Sequence, residues 1–191
     1  MKKENINLKG VANFLFEVGI LSKTPRSGLF FLGTGEQSVA EHTLRVVFIA
    51  YSLAKLAKVD ISKTIQMALF HDISEARMSD LNYIHQKYVE RKESKAVDDL
   101  IQTLPFGEDV FNTIQSYEKR DTKEAVLVKD ADNLEWILTL KEQVDIGNER
   151  AIDWIERSIQ RLKTEEAKKL AKEIMKTEST EWWFDKKVIG G

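Results

Sequence analysis

A helical period runs through almost the whole chain, and it restricts the fold more than any other feature. Apolar residues recur at three- and four-residue spacing from Leu8, Val11, Leu15 and Val18 onward, and only Pro25 and Pro105 interrupt them. No alternating apolar–polar run bounded by turn residues competes with that pattern, so the expected class is all-α. A first helix ends near Gly19, and Ser22 to Gly35 reads as a loop rich in Gly, Ser, Thr and Pro. Ser38 with Glu41 three residues later has the form of a capping box. The helix it opens carries His42, Val46, Ile49, Leu53 and Leu56 down one side. Asp60 or Ser62 caps the next, which buries Ile65, Ala68 and Leu69 and delivers His71 and Asp72. Residues 76–89 read as loop with short helical turns. Further helices are expected over about 90–104, 108–118, 121–144, 149–162 and 164–175. The aromatic tail Trp182-Trp183-Phe184 is expected to pack back onto the bundle, with a dimer contact as the alternative.

With 191 residues, a single domain over 1–191 is expected, with its ligand-bearing core at about 8–145 and C-terminal helices and tail at 149–191. Lys plus Arg number 29 and Asp plus Glu 31, a formal charge of −2. That balance argues against a general partner among nucleic acids or anionic membranes, yet leaves room for one local basic pocket. The absence of cysteine removes disulfides, thiolate metal sites and thiol nucleophiles, so any metal must sit on His, carboxylate or backbone oxygen. No apolar run approaches the ~20 residues of a membrane span, and the start lacks a leader's apolar core. A cytoplasmic location is therefore expected.

The chemistry concentrates in Phe70-His71-Asp72-Ile73-Ser74-Glu75. His71 and Glu75 are i,i+4 and Asp72 and Glu75 are i,i+3, so all three can share one helical face. Two carboxylates and an imidazole together, with no basic partner, call for a divalent cation. His42 and Asp132 sit on other helices in apolar surroundings, where an unpaired polar group is expensive. Taken singly, His42 reads as a core histidine and Asp132 as a partner of Lys129. Taken with His71 and Asp72, they form a candidate set of four metal ligands. Two imidazoles and two carboxylates suit Mn, Co, Fe, Ni or Zn better than Ca or Mg. Glu75 is the candidate acid/base, and Arg26, in the loop before the His42 helix, the candidate phosphate clamp. Glu118 and Lys129 are candidates to stand behind the ligands or against substrate. Glu41 holds either Arg26 or its own helix cap, and His85 reads as a loop residue.

In order along the chain, Pro25-Arg26-Ser27-Gly28, Ser38-Val39-Ala40-Glu41-His42, His71-Asp72-x-x-Glu75, Asp80 and Lys129-Asp130-Ala131-Asp132 resemble the HD superfamily of metal-dependent phosphohydrolases. More narrowly, they resemble its 5′-deoxynucleotidase branch. The resemblance implies an all-helical HD-domain bundle with one divalent cation on His42, His71, Asp72 and Asp132. It also implies catalysis by Glu75, Asp80 touching the sugar, a small nucleotide as substrate, and a homodimer. Branch members usually carry a tryptophan beside the loop arginine; here the neighbours are Ser27, Leu29 and Phe30, and Phe30 or Phe31 would have to supply that bulk. The expected reaction is hydrolysis of (deoxy)nucleoside 5′-monophosphates to nucleoside and phosphate. Other HD phosphohydrolase chemistry (a phosphodiesterase or a triphosphohydrolase of deoxynucleoside triphosphates) and a non-catalytic nucleotide-binding scaffold are the alternatives. Glu75 weighs against the scaffold, which has little use for an acid/base.

Overall fold

A computed structural model describes residues 6–184. The described residues are helices joined by turns, with no strand among them beyond one isolated antiparallel bridge, Pro25 to Ser38. In order they are α1 (Leu8–Val18), α2 (Val39–Ala57), α3 (Ile61–Phe70), α4 (Glu75–Met78), α5 (Glu93–Ile101), α6 (Gly107–Lys119), α7 (Lys123–Asp145), α8 (Ile152–Ile159), α9 (Glu165–Ile174) and α10 (Glu181–Phe184). None of them is long and apolar enough to cross a membrane.

The chain is built around α7, which packs against α2, α3, α6, α8 and α9. Leu134, Ile137 and Leu140 on it are fully buried, and they share one core with Val46, Leu53, Met67 and Ile155. A helix enclosed on so many sides must also bury polar groups, and each of these is bonded as burial requires. Asp130, for instance, accepts the backbone N–H groups of Lys163 and Thr164 and the Thr164 hydroxyl, which pins the start of α9. A second core joins Phe14 and Leu21 to Val39, Leu100, Val110 and Ile114.

Helix starts follow the side chains that cap them. The Ser38 hydroxyl accepts the Glu41 N–H and the Glu41 carboxylate accepts the Ser38 N–H at 2.6 Å, so Glu41 is a cap rather than a partner of Arg26. Asp60 caps α3, Thr122 caps α7 and Thr164 caps α9. The α8 segment is shorter than its period suggests, because residues 149–151 form a 3-10 turn before it.

Several buried faces are turned from the expected ones. On α1, Leu8 and Leu15 are exposed and Gly10 and Phe14 are buried. A Cβ on Gly10 would run into the Thr103 carbonyl, so that glycine lets α1 lie close on the turn after α5 and fixes which face is inward. Leu56 and Leu69 are exposed as well, while Thr64, Met67 and Ala68 carry the inner face of α3. These helices have more apolar residues than one stripe needs, so period alone does not choose among them. The tail does not fold back: Trp182, Trp183 and Phe184 are exposed and stack on one another, with Trp183 and Phe184 ring centroids 4.1 Å apart.

Candidate metal centre and active-site cavity

Three elements deliver the four proposed ligands: His42, His71 and Asp72 gather in one cluster, and Asp132 meets that cluster at His42. The capping box fixes the first turn of α2, so His42 points inward and is fully buried. α3 stops at Phe70, but His71 keeps right-handed helical backbone, and tight turns carry Asp72 to Ser74 into α4. His71, Asp72 and Glu75 thus keep nearly helical spacing across a break between helices. Asp132 comes from the middle of α7.

The ligand atoms of His42, His71 and Asp72 all lie within 4.8 Å of one another. His42 Nε2 is 3.3 Å from His71 Nε2, 3.5 Å from Asp72 Oδ2 and 3.3 Å from Asp132 Oδ1, and His71 Nε2 is 3.1 Å from Asp72 Oδ2. Ligands about 2.1 Å from a common cation stand roughly 3.0 to 3.4 Å apart, depending on coordination number. Three of the four separations fall in that range, and His42 to Asp72, at 3.5 Å, lies just beyond it. The other oxygen of Asp132 receives Lys129 Nζ at 2.6 Å, so the pairing with lysine and the approach to His42 coexist.

The chemistry of the donor set also fits a cation. His71 Nδ1 is 2.8 Å from the Ala68 carbonyl, which can only accept, so that nitrogen carries the hydrogen. His42 Nδ1 faces the buried Glu135 carboxylate at 2.5 Å and does the same. With Nδ1 so engaged, Nε2 of each ring is the atom turned toward Asp72, and that of His42 also toward Asp132. Burial and the Arg26 charge pull the His42 pKa down, but hydrogen bonds to Asp132 and Glu135 outweigh them and hold it up at about 9. A proton on His42 relieves one lone pair; a divalent cation would answer His42, His71 and Asp72 together.

The centre opens into a cavity of about 710 Å³, a size suited to a small-molecule ligand. The antiparallel bridge holds the loop that brings in Arg26: its N–H bonds the Gln37 carbonyl at 2.8 Å, and Val39 N–H bonds the Thr24 carbonyl at 2.8 Å. Arg26 Nη1 lies 3.5 Å from Asp72 Oδ2, while its buried Nε has no hydrogen-bond partner among the described residues. Asp80 lines the cavity, but its carboxylate accepts the Ser27 N–H at 2.8 Å and lies 3.8 Å from Arg26 Nε, an anchor for the arginine loop. Glu75 is buried with Oε2 unpartnered. Burial, then the charges of Asp72 and Asp80, push its pKa to about 9 against the pull of Arg26 and Arg91, so it holds a proton at neutral pH. Glu118 is half exposed at the rim, 3.8 Å from Arg120. His85 is an exposed turn residue bonded to Asn82.

Sequence reasoning passed over four residues here. Glu135 is fully buried and bonds His42, Arg45, Gln37 and Thr139; its three-residue spacing from Asp132 was the available signal. The charges and hydrogen bonds around it overcome burial and hold its pKa down at about 2. Tyr117 sets its ring edge-on to His71 at 5.8 Å. Trp136 and Trp154 line the cavity, and Trp136 stands over Gly28, so bulk beside Arg26 comes from α7. Phe30 and Phe31 are outside the cavity wall, and Phe31 meets Tyr83 and Trp154 from the outer side. Nothing in the linear order ties Trp136 or Trp154 to residue 28.

Known proteins resemble this chain in sequence and in fold. A family model described as an HD domain matches residues 18–177. A 5′-deoxynucleotidase of Xenopus laevis is 31% identical over 144 residues, covering 72% of this chain and 71% of that protein. A conserved hypothetical protein from Pyrococcus furiosus superposes with a TM-score of 0.74 at 28% identity, over 87% of this chain and 99% of its own. A cyanophage S-2L HD phosphohydrolase, whose structure holds dA and one catalytic Zn2+, shares the fold with a TM-score of 0.54 at 21% identity, over 85% of this chain and 96% of its own.

Proposed function

The chain belongs to the HD domain family, and from that premise we propose that it is a metal-dependent phosphomonoesterase that cleaves deoxynucleoside 5′-monophosphates to deoxynucleoside and inorganic phosphate. The observation that carries the proposal is a cluster of two imidazoles and a carboxylate, open to a cavity of small-molecule size, with a buried, unpartnered carboxyl and an arginine beside it. The relatives named 5′-deoxynucleotidase support the choice of substrate, and the nitrogen-and-oxygen donor set supports a transition metal of the Mn-to-Zn group.

His42, His71, Asp72 and Asp132 are the residues that would hold the cation. Bound there, it supplies an acidified water as nucleophile and neutralises charge on the phosphoryl oxygens. Everything else falls to the chain. Arg26 lines the cavity and is already desolvated beside Asp72, so an arriving phosphate meets a guanidinium held in place before it binds. Asp80 keeps that loop in place through Ser27. Glu75 donates its proton to the leaving 5′-oxygen as the phosphorus–oxygen bond breaks, and recovers one from solvent after the products leave. Glu135 holds the His42 ring in the tautomer that leaves Nε2 free.

The test is phosphate release from a panel of deoxynucleoside and ribonucleoside 5′-monophosphates by chelator-stripped protein reloaded with Mn, Co or Zn. Release from deoxynucleotides is the expected result. No release from any member with any of these metals overturns the proposal.

A further inference from the structure

The monophosphate chemistry uses the floor of the cavity and leaves one wall without a purpose. Two residues beyond Arg26, a Cβ on Gly28 would stand 3.1 Å from the Trp136 ring. The Trp136 ring lies 6.1 Å from that of Trp154. One turn past Trp154 in α8, about 4.5 Å further along the axis, comes Arg157, and Arg161 follows in the turn just beyond the helix end at Ile159. Both line the cavity, with Ser158 between them. Read outward, the wall is a cation, an aromatic pair, then two more cations.

Arg157 and Arg161 are exposed at the cavity, and no carboxylate takes either of them. Arg26, Arg45, Arg77, Arg91 and Arg120 each have a carboxylate within 4 Å; among the described residues Arg150, Arg157 and Arg161 have none, and of these three only Arg157 and Arg161 line the cavity. Asp153 sits one turn before Arg157, the favourable position for a helical ion pair, yet the pair is not made. Two unpaired guanidinium groups on the wall of a cavity form a site for an anion with several acceptor oxygens.

We propose that Arg157 and Arg161 form a second phosphate subsite, so that the cavity takes nucleotides carrying a phosphoryl group on the far side of the nucleoside from the one cleaved. The inference rests on the proposed monophosphate hydrolysis, since Arg26 and the metal ligands must take the 5′-phosphate. The aromatic pair between the cationic ends suits a sugar and base. A 5′-diphosphate does not fit this spacing, because both its phosphates would lie at the Arg26 end. The second phosphate belongs on the 3′-oxygen, either as a terminal monoester in a 3′,5′-bisphosphate or as the diester of a 5′-phosphorylated dinucleotide.

The experiment compares kcat/KM for 5′-phosphate removal from deoxyadenosine 5′-monophosphate, its 3′,5′-bisphosphate and the 5′-phosphorylated deoxyadenosine dinucleotide, in metal-loaded wild type, Arg157→Gln/Arg161→Gln and Arg150→Gln. Wild type should favour at least one two-phosphate substrate by about tenfold or more, the worth of a charge-assisted bond. The preference should collapse in the double variant and persist in Arg150→Gln, which changes an arginine away from this wall. Preference for the bisphosphate alone identifies a terminal dianion as the ligand; preference for the dinucleotide alone identifies an internal diester. Equal kcat/KM for all three substrates in wild type, or a preference that survives in the double variant, overturns the subsite. Calorimetric binding of the same compounds to metal-loaded Glu75→Gln separates the two claims. If no substrate turns over but the bisphosphate or dinucleotide binds more tightly and through Arg157 and Arg161, the hydrolase reading fails and the subsite stands.

Discussion

Replacing Glu135 by Gln keeps the side chain's shape and removes its charge. In the folded chain the Glu135 carboxylate is fully buried, accepts from His42 Nδ1 at 2.5 Å and Arg45 Nε at 3.0 Å, and has Gln37 Nε2 at 2.6 Å. Arg45 keeps Glu142 and Thr139 after the change, so no cation is stranded. What is lost is the charge-assisted bond that makes His42 Nε2 a better donor to a cation. A bond to a charged acceptor is worth roughly 1 to 1.5 kcal/mol more than a neutral one, and loss of such a partner behind a metal-bound histidine costs about 10- to 100-fold in affinity. Competition with a chelator of known affinity, at fixed pH, reads this directly. The expected outcome is a Zn or Co affinity lowered by about 10- to 100-fold, with the metal-free protein still folded. The effect must run through the imidazole: in a His42→Ala background, Glu135→Gln should change metal affinity by less than about twofold, within ordinary additivity error. Unchanged affinity in the single variant, or an equal loss in the His42→Ala background, would refute the positioning role.

Glu75→Gln should lower turnover by about 10²- to 10⁴-fold, the usual worth of a proton donor, while metal stoichiometry is retained; steady-state rates and metal analysis check both. The same variant has a pH signature without metal. The folded chain keeps a proton on Glu75 up to about pH 9, whereas the unfolded chain loses it above its ordinary value of 4.5. The folded state therefore binds more protons across that window, and this contribution to stability falls as pH rises through it. Thermal melts of the metal-free protein should decline less with pH in Glu75→Gln than in wild type. Arg26→Gln should raise KM for a monophosphate by at least about tenfold, since no other guanidinium lies beside Asp72. Gly10→Ala should destabilise the fold by about 1 to 3 kcal/mol through the clash with the Thr103 carbonyl, read as a lowered melting temperature with metal affinity unchanged.

The helices and their caps were legible because they depend on near neighbours. Ser38 with Glu41, Asp60 and Thr164 act within four residues of themselves, and the structure has each as a cap. The gathering of His42, His71 and Asp72, with Asp132 against His42, was readable for another reason: costly polar groups on apolar helices have few ways to be satisfied except together. Facing was less legible. Leu15, Leu56 and Leu69 fit a stripe as well as the residues actually buried, and backbone approach, as at Gly10, decided between them. Least legible were contacts between distant segments. Glu135 behind His42, Asp80 under Ser27 and Trp136 over Gly28 join residues dozens of positions apart, where spacing in the chain carries no information about distance.

The central claim is that side chains from α2, the α3–α4 turn and α7 together hold one divalent cation. Titration of chelator-stripped protein with Co or Zn, followed by metal analysis, tests it most directly. One equivalent per chain in wild type, lost or weakened by at least about a hundredfold in each of His42→Ala and His71→Ala, is the predicted result. Wild type that takes up no metal, or His71→Ala that binds as tightly as wild type, would contradict it.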